Sequence, residues 1–118
     1  MKTLRIVYWI ATVLFCSFML YSVGVYFTKT EMIRDGFSDL GYPAYLVLPL
    51  GVLKLTGVYV ILHNRWKSLK EWAYAGFVIN ISLAITAHLA VQDGHESGAM
   101  MALILVLISY IIGKIVRP

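Results

Sequence analysis

Residues 44–62 read AYLVLPLGVLKLTGVYVIL, and Lys54 is the one charged residue in the run. A stretch this long and apolar matches the ~20 residues that a helix needs to cross a ~30 Å hydrocarbon layer. Comparable runs flank it at about 6–28, 72–90 and 98–116. The connections, 29–43, 63–71 and 91–97, are short enough to force antiparallel neighbours. The expected fold is all-α: an integral membrane bundle of four antiparallel transmembrane helices, with residues 1–118 forming a single transmembrane domain. Four spans leave no room for a soluble domain.

Composition agrees. The 118 residues are 60% hydrophobic and 14% charged, with a mean hydropathy of +0.79. A soluble domain is nearer half apolar and a quarter charged. These values exclude a soluble enzyme with its own aqueous core and a disordered chain. The basic start and apolar run of span one look like a signal peptide. The run is ~22 residues, however, longer than a signal core, and no small-x-small cleavage site follows, so a retained helix is expected. Cys16 is the one cysteine, which excludes an internal disulfide and any dithiol redox motif. It reads as a small apolar packing residue.

The net charge of +4 has a topological meaning. Lys2, Arg5, Arg65, Lys67, Lys70, Lys114 and Arg117 fall on one side of the bundle, against Lys29 and Arg34 on the other. Seven against two puts both termini in the cytoplasm. No exposed basic domain exists, so nucleic acid is not an expected partner. Trp9, Trp66, Trp72, Tyr42 and Tyr45 lie near the interfaces, as an aromatic belt requires.

In the first outer loop, Thr28-x-x-Glu31 has capping-box spacing, and Met32, Ile33, Phe37 and Leu40 recur at roughly helical intervals. A short amphipathic interfacial helix, ended by Gly36 or Gly41, is expected there. An ordinary loop with a few apolar residues is the alternative.

Lys54 is the sharpest signal. It lies near the centre of its span, where a lysine costs ~2.5–3.5 kcal/mol and must face protein or a water-filled cavity. A lysine stem of ~6 Å does not clear a ~15 Å half-bilayer, which strains simple snorkelling. Gly51 and Gly57 flank it at i−3 and i+3, a smooth stripe for another helix or a ligand. Pro49 frees the carbonyl of Tyr45 and is expected to kink the helix. No Asp or Glu lies within any span. Glu71 sits ~14 Å from midplane, too far for a direct bond. Three arrangements remain open for Lys54: a neutral amine, hydrogen bonds to polar groups, or an anionic or carbonyl-bearing ligand.

Span three carries the expected neighbours. Asn80 matches the depth of Lys54, and Gly76, Asn80, Ala84, Ala87 and His88 share one helical face. Asn80 serves equally as interhelical glue worth about 0.6 kcal/mol. His88, near the outer boundary, reads first as a packed or interfacial histidine and second as a ligand-binding one. Ser17, Tyr21, Gly24 and Thr28 share a face of span one, and span four offers Ser109, Tyr110 and Gly113; these complete a polar cavity or make ordinary helix contacts. The order His88-x4-Asp93-x-His95-Glu96 has metal-ligand residue types but no recognised spacing, and reads as a solvated loop. No nucleophile elbow or phosphate loop is present.

The stretches Leu40-Gly41-Tyr42-Pro43-Ala44-Tyr45, Leu50-Gly51-x-x-Lys54-Leu55-x-Gly57 and Lys70-Glu71-Trp72-Ala73-Tyr74-Ala75-Gly76-Phe77 resemble the DoxX-like family. His88-Leu89-Ala90-Val91 and Ser109-Tyr110 fit it as well. The resemblance runs over nearly the whole chain and implies a small four-helix bacterial membrane protein with cytoplasmic termini. It marks Tyr42, Pro43, Lys54, Glu71 and His88 as family-characteristic. The family takes its name from a subunit of an archaeal thiosulfate:quinone oxidoreductase, and other relatives are linked to redox stress complexes and, distantly, receptor assembly. Many relatives carry Asp where this chain has Asn80, which leaves Lys54 without an obvious acid.

The expected function is that of an accessory subunit of a membrane redox system, binding a quinone or lipid at a polar site around Lys54. Lys54, Asn80, His88, Tyr21, Gly51 and Gly57 are the expected ligand-binding residues, with His88 and Tyr21 closing the outer side. The residues leave the cofactor open, the resemblance alone favours a bound quinone over a lipid, and no metal is expected. Partners would be the lipid bilayer and a redox subunit or further copies of the chain. Catalysis by the chain alone is not expected. Two other classes stay open: an assembly factor or structural subunit docking partner helices, and a small oligomeric transporter.

Overall fold

The computed structural model describes residues 2–92, 94 and 96–118, with Val91 and Glu96 described by backbone alone. Five α-helices follow in order: α1 (Lys2–Thr28), α2 (Thr30–Asp39), α3 (Val47–His63), α4 (Lys67–Val91) and α5 (Glu96–Val116). Four segments are long and apolar enough to cross a membrane: Lys2–Thr28, Ala44–His63, Lys67–Ala90 and Ser97–Val116. At 1.5 Å per residue they span ~30–40 Å, in keeping with a bundle 44 Å long.

The long helices close into a ring. α1 packs on α3 and α5, and α4 packs on the same two, so α1 and α4 are diagonal. This is the simple up-down order that short connections dictate. Phe15 and Phe77 reach across the diagonal and meet edge to face at 5.0 Å. Met19, Val58, Ile61, Ile81, Ala102 and Val106 complete a dry layer around them. Ile10, Leu53, Ile79, Ile104 and Ile111 are more than half exposed and form the lipid-facing exterior.

The end carrying both termini is tied by polar groups. Arg117 donates to the carbonyls of Ile61 and Leu62, to the Tyr8 hydroxyl at 3.2 Å, and lies 4.9 Å over the Trp9 ring. It thereby satisfies carbonyls left open where α3 ends. Thr12, Ser109 and Tyr74 form a buried hydroxyl chain with links of 2.6 and 2.7 Å.

At the opposite end the predicted amphipathic helix is present as α2, but its start differs from expectation. Thr28 belongs to α1 and returns its hydroxyl to the Gly24 carbonyl at 2.6 Å, so Thr28 and Glu31 form no capping box. The helix runs through Gly36 and stops at Gly41, whose φ is +85°. Tyr42 N–H bonds Phe37 O at 2.8 Å and Gly41 N–H bonds Ser38 O at 3.0 Å, a paired closure that needs the left-handed glycine. The Phe37 and Tyr42 rings, 6.3 Å apart, supply the accompanying apolar contact. Pro49 does not kink a long helix. It falls in the first turn of α3, where its missing N–H would have had no helical partner, and a single 3-10 turn at Ala44–Leu46 precedes it.

Candidate functional site

Lys54 points into the bundle and is 8% exposed. Its ammonium donates to Ser22 Oγ at 3.0 Å and to Tyr26 OH at 3.2 Å, and lies 4.2 Å from the centre of the Tyr26 ring. Both partners are on the last two turns of α1 and both are neutral. An ammonium carries three donors, and these two bonds account for two among the described residues.

Three cavities meet at this lysine, and Asn80 lines all of them from α4. The first, about 260 Å³, is walled by Tyr26, Tyr42, Leu46, Leu83 and His88 and roofed by Phe37 and Leu40 of the α2 segment. The second, about 180 Å³, runs between α3 and α4 past Gly57, Ala73 and Gly76 to Trp72. The third, about 210 Å³, lies among α1, α4 and α5 against Met19, Ile81, Ala99 and Ala102. Each alone falls short of the ~300 Å³ at which sites for drug-sized ligands begin, and together they reach that range.

The structure therefore brings Lys54, Asn80 and His88 together, joined by Tyr42, whose hydroxyl donates to the Leu83 carbonyl at 3.1 Å. Pro43 begins the 3-10 turn that carries the chain from Tyr42 into α3. The two flanking glycines serve packing. A Cβ on Gly51 would come within 3.1 Å of the Phe27 ring, and one on Gly57 within 2.8 Å of the Phe77 ring. Gly57 also lines the α3–α4 cavity, whereas Gly51 faces α1.

Tyr21 is not where the site needs it. It is 74% exposed, and Ser17, Gly24 and Thr28 on the same face are exposed too. The face of α1 turned inward carries Phe15, Met19, Ser22 and Tyr26, two positions out of register and so on the opposite side of the helix. The tyrosine that reaches Lys54 is Tyr26, which the sequence analysis missed. Tyr26 lies eleven residues beyond Phe15, three turns along the same face, but the sequence does not mark that face as the inward one.

Glu71 is engaged elsewhere. It pairs with Lys114 and accepts the Tyr110 hydroxyl at 2.8 Å, at the end that carries the termini. Ser109 and Tyr110 do face inward, but they belong to that polar end and not to the Lys54 cavities. Asp93, His95 and the side chain of Glu96 lie outside the described residues. Among the described residues no three His, Cys, Asp or Glu side chains come together as metal ligands. Cys16 is buried in the apolar layer, as a packing residue should be.

A buried cation with neutral partners, at the junction of apolar cavities in a four-span helical bundle, defines a membrane protein with a polar pocket at its core. Residues 10–111 match the family model described as DoxX-like, so the chain belongs to the DoxX-like family. Comparison with curated proteins and with solved structures gave no match.

Proposed function

We propose that this protein binds one apolar molecule with a polar head, a quinone or a lipid, at Lys54, and acts as an accessory subunit of a membrane redox system. The observation that carries the reading is Lys54 itself. A buried ammonium satisfied by two hydroxyls has a donor left for a carbonyl or anionic oxygen, and cavities adjoin it. The residues fit such a head group chemically. Lys54 and the Asn80 amide supply donors, Tyr26 and His88 supply polar walls, and Leu46, Leu50 and Leu83 suit a ring or chain. When bound, a quinone would supply the electron-accepting chemistry, and this chain's own residues would hold and orient its head and exclude water from it. Electron transfer to it would require a partner subunit. The cation asymmetry supports a bacterial inner-membrane protein with both termini in the cytoplasm.

Native mass spectrometry of the wild type and Lys54→Met in mild detergent, with extraction of bound small molecules, tests this. The expected result is a stoichiometric quinone or lipid on the wild type and none on Lys54→Met. A ligand-free wild type would overturn it.

A second reading has one observation in its favour. The exposed α1 face of Ser17, Tyr21, Gly24 and Thr28 is polar where lipid would favour apolar side chains, with small residues on either side of Tyr21, and a Cβ on Gly24 would meet nothing within 4 Å. Such a face admits close approach by another membrane helix. On that reading the chain is a structural or assembly subunit, and the same spectra would show a second protein in place of a small molecule.

A further inference from the structure

We propose that the fissure between α3 and α4 holds the tail of the Lys54 ligand, so that a single-chain amphiphile enters sideways from the bilayer with its head at Lys54 and its tail toward Trp72. This rests on the head-group reading given above and adds the route and the shape of the molecule. The fissure shares Leu50, Lys54 and Asn80 with the roofed cavity, so the two spaces adjoin at the lysine. Its charged and amide side chains lie at that one end. From there, Leu53, Gly57, Ala73, Gly76 and Phe77 offer hydrocarbon, glycine backbone and aromatic surface as far as the Trp72 indole. A groove polar at one pole and apolar along its length matches an amphiphile and not a small polar solute.

The geometry of the walls explains why the fissure stays open. Leu50, Leu53, Lys54 and Gly57 form one stripe of α3, and Trp72, Ala73, Gly76, Phe77 and Asn80 form the facing stripe of α4. A Cβ on Gly76 would meet nothing within 4 Å, so the missing side chain leaves space that the neighbouring helix does not fill. The rim faces lipid: Leu53 is 64% exposed and Trp72 is 76% exposed. From Asn80 to Trp72 is eight residues, ~12 Å along the helix axis. The third cavity is a separate space among α1, α4 and α5, bounded by the half-exposed Phe18 and by the buried Met19, Ile81 and Ala102, and it lacks the run of lining from Lys54 to Trp72. The fissure is a single slot between two helices, and it accommodates one chain.

The test uses full-length protein with Trp9→Phe and Trp66→Phe, leaving Trp72 as the reporter. Two probes are titrated: a benzoquinone with a saturated ten-carbon tail, and the same ring without a tail. The tailed probe is expected to quench Trp72 saturably. Gly76→Leu fills the slot away from Lys54, and should weaken the tailed probe at least about tenfold while leaving the tail-less ring unchanged. Ala73→Leu, nearer the mouth, is a second filling variant should Gly76→Leu fail to fold. Lys54→Met should weaken both probes. Tailed-probe binding that survives both filling variants, or leaves Trp72 unquenched, while Lys54→Met abolishes it, overturns the fissure and spares the head site. Binding of neither probe, or binding indifferent to Lys54→Met, overturns the head site and the fissure with it. Displacement of the tailed probe by a two-chain phospholipid with equal potency overturns the single-chain assignment.

Discussion

Tyr26 contributes to the environment of Lys54 twice, through its hydroxyl and through its ring face. Tyr26→Phe keeps the ring and removes the acceptor, and a hydrogen bond to a charged group is worth about 1.5–3 kcal/mol. A loss of that order is expected in the unfolding free energy measured in mixed micelles. In a Lys54→Met background the same change should cost almost nothing, because the donor is gone. The glycines of the two facing stripes should behave oppositely. Gly57→Ala drives a methyl to 2.8 Å from a Phe77 ring that Phe15 already holds from the other side, and overpacking of this kind costs about 1–3 kcal/mol. Gly76→Ala meets nothing, and removing a helical glycine should stabilise by up to ~1 kcal/mol. Equal effects at the two positions would contradict the packing described here.

The short α2 helix roofs the largest of the three described cavities that meet at Lys54, and its stability depends on how it ends. Gly41 adopts φ +85°, and a side chain in that region costs ~1–2 kcal/mol. Gly41→Ala should therefore accelerate amide exchange at residues 40–42, whose N–H groups close the helix. The core amides of α3 and α5 should not change. Tyr42 follows directly and bonds the Leu83 carbonyl, so loosening the turn also loosens the wall of the cavity. The motif Leu40-Gly41-Tyr42-Pro43 thus has a mechanical reading: stop one helix, place a tyrosine on α4, and start the turn into α3.

The bundle as a whole separates two polar regions. Lys54, Ser22, Tyr26, Asn80 and His88 occupy the half nearer α2, while Glu71, Lys114, Tyr110, Tyr74, Ser109 and Arg117 occupy the half that carries the termini. The Phe15–Phe77 layer lies between them. An even number of spans puts both termini on one side, and in the orientation proposed above that side is the cytoplasm. Reporter fusions at residue 1 and at residue 118 should both register the cytoplasm, and a tag placed in 29–43 should be labelled only from outside. Labelling of that tag in intact cells only after permeabilisation would reverse the orientation.

Helix number, antiparallel order and the burial of Lys54 were legible from residue order alone, because they follow from the cost of placing peptide groups and a charge in hydrocarbon. The rotation of each helix was not. Span one carries polar residues on two opposite faces, Ser17, Tyr21 and Thr28 on one and Thr12, Ser22 and Tyr26 on the other, so spacing alone does not mark its inner face, and the sequence reading took the stripe through Tyr21. Only the packing of Phe15 against Phe77, and of Phe27 against Gly51, selects between them. The partners of Ser109 and Tyr110 were not readable either, since Thr12, Tyr74 and Glu71 come from elements distant in sequence. Composition and spacing determine that this chain crosses the membrane four times with a lysine inside. Tertiary structure decides what the lysine touches, because in a membrane-spanning helix with apolar residues on every face the inward face is chosen by steric fit and not by the hydrophobic effect.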